Sequence, residues 1–169
     1  MAVHPIVLLP DPVLRRKAKR VPKIDASIHK LIEDMIESMY AAHGVGLAAP
    51  QIGVSLRVIV IGLPEEEPFA LINPQIVKAT GERLVEEGCL SVPGYRAELT
   101  RSKLVVAKGL SPAGKEVRIK AREDLLAQAL EHEIDHTNGI LYIDHLPSLD
   151  ALFKIEPETD TPAEEPARR

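Results

Sequence analysis

The sequence has no tryptophan, only 3% aromatic residues and a single cysteine, Cys89. One thiol excludes an internal disulfide framework and suits a reducing compartment, where it is free to be a ligand or a core residue. No apolar run approaches the roughly 20 residues of a membrane-spanning helix, so no membrane partner is expected. In MAVHPIVLLPDPVLRRKAKR the charges follow the short apolar run instead of preceding it, and Pro5, Pro10 and Pro12 interrupt it. That is the wrong order for a secretory signal. There is also no surplus of positive charge. The 21 Lys and Arg against 25 Asp and Glu give a net charge of −4, which argues against direct nucleic-acid binding, and no base-reading motif is present. A cytoplasmic protein is the expectation.

What the chain does have is an ordinary globular composition, 45% hydrophobic and 27% charged over 169 residues. That length supports one domain with a proper core, and residues 1–155 are expected to form a single catalytic domain. Residues 156–169, EPETDTPAEEPARR, are acidic, proline-containing and nearly free of apolar groups, which predicts a disordered tail.

Ile28, Leu31, Ile32, Met35, Ile36 and Met39 recur at helical spacing and predict an amphipathic helix over about 27–42. Asp25 or Ser27 would cap its start, and Gly44 would end it in a left-handed turn. GVGLAAPQIG (44–53) reads as a glycine-rich loop. LRVIVIG, FALINP, YRAELTR, KLVVAKGL and KEVRIKA read as strands, the last two joined by the turn SPAG. A second helix is expected over 123–137, ended near Asn138 and Gly139. The fold class is therefore α+β: mainly antiparallel short sheets packed around a C-terminal metal-binding helix, with an amphipathic helix near the N-terminus.

The metal expectation comes from LEHEIDHTNG (130–139). Residues four apart on a helix are rotated by about 40° and lie about 6 Å apart along the axis, so His132 and His136 can converge on one ion. Glu133 lies beside that ion without having to bind it, in position to handle the proton of a nucleophilic water. A catalytic site of this kind wants a third protein ligand and an open position. His145, nine residues beyond His136, does not match a metzincin spacing, and Glu156 and Glu158 fall in the tail. The other candidate donor is upstream, Cys89 in EEGCLSVPG. A thiolate with two imidazoles makes a three-ligand site. A zincin-type metallopeptidase using the same helix is the alternative reading, and a non-catalytic domain with a closed structural metal is another.

Three stretches taken together resemble the peptide deformylase family: GVGLAAPQ (44–51), EGCLS (87–91) and HEIDH (132–136), in that order. PDPVLRRKA and LINPQI resemble it as well, so the likeness covers about residues 5–147. The resemblance implies hydrolysis of the N-terminal formyl group from formyl-methionyl nascent polypeptides, with release of formate. It implies Cys89, His132 and His136 as ligands of one divalent metal, Fe²⁺ in cells, with Zn²⁺ or Ni²⁺ acquired on purification. Glu133 would be the general acid/base, driving attack by a hydroxide that the metal activates. Gln51, through its side-chain amide, and Leu90, through its backbone N–H, would face the oxyanion. Val45 and Gly46 would run along the substrate main chain. Leu125 and Ala129 share the helical stripe of His132 and His136 and would line a pocket for the methionine side chain. Formylated nascent peptides near the ribosome would be the partners, and the acidic tail argues against stable ribosome docking through it.

Overall fold

The computed structural model describes residues 2–155; the expected tail, 156–169, lies outside them. After a short 3₁₀ turn at Pro12–Arg15, the first helix, α1, runs Ala26–Ala41. Asp25 caps it, its side chain accepting from the backbone N–H groups of Ser27 and Ile28 at 3.0 and 3.3 Å. Ile28, Ile32, Met35 and Met39 form the buried stripe, with Leu31 and Ile36 half-buried beside it. The helix end differs from the expectation: His43, at φ 57°, takes the left-handed position assigned to Gly44. The backbone N–H of Gly44 instead closes back onto Met39 O at 3.0 Å.

The stretch expected as a loop holds a strand, β1 (Gly46–Ala48), and a 3₁₀ turn, Ala49–Ile52. Strands β2 (Val58–Ile61), β3 (Phe69–Thr80), β4 (Arg83–Cys89), β5 (Val92–Arg101), β6 (Leu104–Leu110) and β7 (Glu116–Arg122) follow. Helix α2 (Leu125–Thr137) comes next, then β8 (Phe153–Lys154). Asp124 caps α2 by accepting from Ala127 N at 2.8 Å. Beyond its end Gly139 takes φ 73°, where a Cβ would meet Arg15 O at 2.5 Å, so glycine is required there twice over.

Two sheets result, both antiparallel throughout: β1-β2-β3-β6-β7 and β4-β5-β8. The strand period of two sends alternate residues of the large sheet to opposite faces. Leu47, Val58, Val60, Ala70 and Ile72 meet α1 on one face. Ala48, Ile59, Ile61, Leu71, Val105, Ala107 and Ala121 meet Ala127, Leu130 and Ile134 of α2 on the other. Burying a full aliphatic side chain contributes about 1.5–3 kcal/mol, so the second layer holds α2 firmly from behind. Its histidine-bearing face is left toward the β4–β5 hairpin. No described helix is long and apolar enough to cross a membrane.

Candidate metal centre

The β4–β5 hairpin turns through Leu90 and Ser91, because Cys89 pairs with Val92. That places the thiol at the hairpin tip, against α2. Cys89 Sγ lies 3.4 Å from His136 Nε2, and His136 Nε2 lies 3.2 Å from His132 Nε2. One donor atom from each of the three residues falls within 4.8 Å of the others. Tetrahedral ligands at ordinary metal–N and metal–S bond lengths would be about 3.3 Å (N to N) and about 3.6 Å (S to N) apart. The donor set therefore fits a single divalent cation, and its soft-to-borderline character suits a transition metal. His145, the sequence alternative, sits apart with its Nε2 2.8 Å from Asp135 Oδ2.

The remaining nitrogen of His132 is held as well. Its Nδ1 contacts Glu87, whose carboxylate is gripped by Arg101 at 2.5 Å and 3.0 Å. Arg101 in turn reaches Asp135 at 2.8 Å. This buried chain fixes the ring so that Nε2 faces the other two donors. Burial opposes the charge on Glu87, but His132 and Arg101 outweigh it and hold the carboxyl at about 2. For His132, burial likewise opposes the charge, yet the contacts with Cys89 and Glu87 raise its pKa well above the usual value. Burial and the neighbouring His132 push His136 the other way. Nothing in the sequence reading assigned Glu87 or Arg101 a role. The available signal was a glutamate two residues before the cysteine on one strand.

Glu133 is 4% exposed. Its Oε1 stands 3.9 Å from His132 Nε2, too far to share the proton of that ring, and its Oε2 is buried with no protein partner. Burial pushes the carboxyl up to about 7, the range in which a group both takes and gives protons near neutrality. Gly46 lies directly against it: a Cβ there would come within 2.7 Å of Glu133 Oε1. Gln51 is buried on the 3₁₀ turn. Its Oε1 accepts from Ala48 N at 3.0 Å, which turns the NH₂ toward Cys89 Sγ at 3.6 Å and Ser91 Oγ at 3.1 Å.

These groups face a cavity of about 480 Å³. Val45, Gly46, Gln51, Cys89, Leu90, Leu125, Ala129, His132 and Glu133 all line it, and His136 closes the metal cluster behind. Ala129 is buried beside His132, whereas Leu125 is 43% exposed at the mouth. Pocket residues that sequence reasoning missed include Gly88, Tyr95, Arg96, Gln128 and Ile155. Ile155 arrives there because β8 pairs with Tyr95 and Arg96, and its own N–H donates to Gly94 O at 2.9 Å. A two-residue strand carries no periodicity to announce it.

Comparison with known proteins bears directly on this arrangement. The polypeptide deformylase family model matches residues 3–151. The peptide deformylase of Dehalococcoides mccartyi (strain CBDB1) is 58% identical over 165 residues, 97% of this chain and 98% of its own length. That of Halothermothrix orenii is 53% identical over 145 residues, 85% of this chain and 94% of its own. The crystal structure of a Legionella pneumophila peptide deformylase superposes with a TM-score of 0.83 at 49% identity, covering 86% of each chain. The Ehrlichia chaffeensis enzyme in complex with actinonin gives 0.85 at 40% identity, over 89% of this chain and 92% of that one. With the family match spanning nearly all described residues, this chain belongs to the polypeptide deformylase family.

Proposed function

We infer that the chain removes the formyl group from formyl-methionyl nascent polypeptides, releasing formate and a free N-terminus. The observation that carries this reading is the meeting of Cys89, His132 and His136 at one point, with Glu133 beside them and Gln51 turned inward by Ala48. Residues 1–155 act as the catalytic unit, with Cys89, His132 and His136 holding one divalent ion.

When bound, that ion supplies Lewis-acid polarisation of the formyl carbonyl and lowers the pKa of a water, yielding a nucleophile near neutral pH. The chain does the rest. Val45 and Gly46 take the peptide main chain along the β1 edge, and glycine lets it approach Glu133 closely. Glu133 accepts the proton of the attacking water as its oxygen adds to the formyl carbon. Negative charge then grows on the formyl oxygen, where the Gln51 amide and the Leu90 backbone N–H donate; such a donor is worth about 3 kcal/mol. Glu133 returns the proton to the departing amine nitrogen, and the C–N bond breaks. Ala129 and Leu125 bound the space for the methionine side chain.

The family resemblance implies Fe²⁺ in cells, with Zn²⁺ or Ni²⁺ entering on purification; the Cys/His₂ set accepts all three, and raw affinity alone would favour Zn²⁺ over Fe²⁺. Nascent substrates place the enzyme in the cytoplasm, near the ribosome. The test is direct: purified protein with formyl-Met-Ala-Ser should release formate, and actinonin, with which the Ehrlichia relative was crystallised, should block it. A fully metal-loaded sample releasing no formate beside an active control defeats the reading. Cleavage of internal peptide bonds instead would mark a zincin-type peptidase.

A further inference from the structure

The large sheet has a face that, among the described residues, no helix covers. Val117, Ile119 and Ala121 of β7 and Val105 and Ala107 of β6 pack into the α2 layer. Strand alternation therefore sends Arg118, Lys120 and Arg122, with Val106 and Lys108, to the opposite side. Helix α1 occupies that side only over β1, β2, the start of β3 and Leu110. Beyond it the strand registers form rows across β3, β6 and β7: Gln75–Lys108–Arg118, Lys78–Val106–Lys120 and Thr80–Leu104–Arg122. Five cations thus share one face, and Glu116 at the end of β7 is the carboxylate on the same side of that strand. Lys78, Arg118, Lys120 and Arg122 are exposed, and Lys108 is half-buried.

One observation sets this grid apart from an ordinary solvated surface. Like most of the described Lys and Arg, the five cations make no ion pair among the described residues, so the distinction lies in their arrangement. Lys108 and Arg118 stand directly opposite one another across the β6–β7 ladder, an arrangement that destabilises a sheet through like-charge repulsion. Folding alone does not favour that pair, whereas an anion lying across it would relieve the repulsion.

We propose that this face, built from Lys78, Lys108, Arg118, Lys120 and Arg122, docks the phosphate backbone of structured RNA. The net charge of −4 argued against nucleic acid, but the distribution of charge decides such binding, not its sum. Residues two apart on a strand lie about 6.6 Å from each other and strands about 4.8 Å apart, so the grid is a rigid array of point charges. No aromatic side chain occurs in residues 75–80, 104–110 or 116–122. Base stacking is therefore absent and recognition is of backbone, independent of sequence. The same lack of aromatic anchors disfavours a lipid surface. The pocket opens on the α2 side of the sheet, so an occupied grid leaves it accessible. On the reading that the substrates are nascent chains, the RNA is that of the ribosome presenting them.

The experiment uses the full chain and a fluorescein-labelled mixed-sequence RNA hairpin, read by anisotropy at 50 and 200 mM KCl. Wild type should bind and weaken about a hundredfold across that range, as four or so phosphate contacts require. The triple variant Lys108→Gln/Arg118→Gln/Lys120→Gln should bind at least about tenfold more weakly at 50 mM, with its salt slope reduced by about three. It should cosediment less with ribosomes while hydrolysing free formyl-Met-Ala-Ser at the wild-type rate and melting at or above the wild-type temperature, because the Lys108–Arg118 repulsion is gone. No RNA binding at 50 mM salt, or equal binding by the variant, overturns the proposal. Binding to phosphatidylglycerol vesicles with none to the hairpin overturns it in favour of a lipid surface. Because RNA binding is read without substrate, its failure and a failure of deformylation are separate results.

Discussion

Glu87 meets His132 at the nitrogen that faces away from the other two donors, and Arg101 holds the same carboxylate from behind. The His132 ring is thereby aimed by an ion pair that is itself nearly dry, with side chains 2% and 4% exposed. Orientation of this kind is worth about 10–100-fold in metal affinity. Glu87→Gln should lower affinity for added Zn²⁺ by that factor in chelator competition, while keeping the Cys89 and His136 ligands. Glu87→Ala should cost more in stability than Glu87→Gln, by about 1–3 kcal/mol, because it removes the bidentate partner of Arg101 and leaves that buried guanidinium with Asp135 alone. Unchanged zinc affinity in Glu87→Gln would remove the positioning role.

Glu133 carries the opposite energetic sign. Its folded pKa of about 7 lies above the ordinary 4.5, so between these values the folded chain binds more protons than the unfolded chain. Stability therefore falls as pH rises through that window, by up to about 3 kcal/mol for a shift of this size. In chelator-treated protein, Glu133→Gln should be more stable than wild type by about 1–3 kcal/mol at pH 8 in urea titration. The advantage should fade as pH falls to 4.5 and vanish about a unit below it, where the carboxyl is neutral in both states. The same variant should keep its metal and lose formate release. An advantage independent of pH would mean that the carboxyl is not destabilised by burial.

The parts of this molecule legible in sequence are those whose signal is local. The stripe from Ile28 to Met39 and the spacing of His132, Glu133 and His136 each state their geometry within a few turns of helix. Strand β4 escaped because RLVEEGC mixes charge with apolar residues and leaves Leu84 67% exposed. Its strand character comes from pairing with β5, not from its own pattern. The site divides in the same way. Cys89 stands 47 residues from His136, so no spacing rule could join them, and the motif EGCLS was needed. Glu87 and Arg101 share no local pattern with His132, and only the folded hairpin brings the three together.

Gly46 is a close-approach glycine, as its clash with Glu133 shows, so its replacement is expected to act on catalysis rather than on folding alone. The Cβ of Gly46→Ala would sit 2.7 Å from Glu133 Oε1 and displace the carboxylate from its resting place. A misplacement of that order costs about a hundredfold in rate. The variant should lose about that factor in kcat on formyl-Met-Ala-Ser with metal content intact. Loss of metal in parallel would instead indicate collapse of the α2 face.

Membership of Cys89 in the ligand set separates the deformylase from an endopeptidase using the same helix. Cys89→Ala removes one of three donors, and two imidazoles alone bind a divalent ion weakly. The variant should retain little metal after dialysis and release no formate. A zincin would draw its third ligand elsewhere, leaving its metal affinity intact.

Specificity should yield to a change at Ala129, which is buried beside His132 and faces the cavity. A larger side chain there, Ala129→Leu, takes volume from the space assigned to the methionine side chain without touching a ligand. A few methylenes of lost room are worth about 1–3 kcal/mol, or about 10–200-fold in kcat/KM. The loss should fall on formyl-Met-Ala-Ser and spare formyl-Gly-Ala-Ser, whose first residue has no side chain to exclude. That contrast matters more than the absolute rate, because a general disturbance of His132 would slow both peptides alike. Equal slowing of the two would place the methionine side chain elsewhere in the cavity, toward Leu125 and the β8 wall at Ile155.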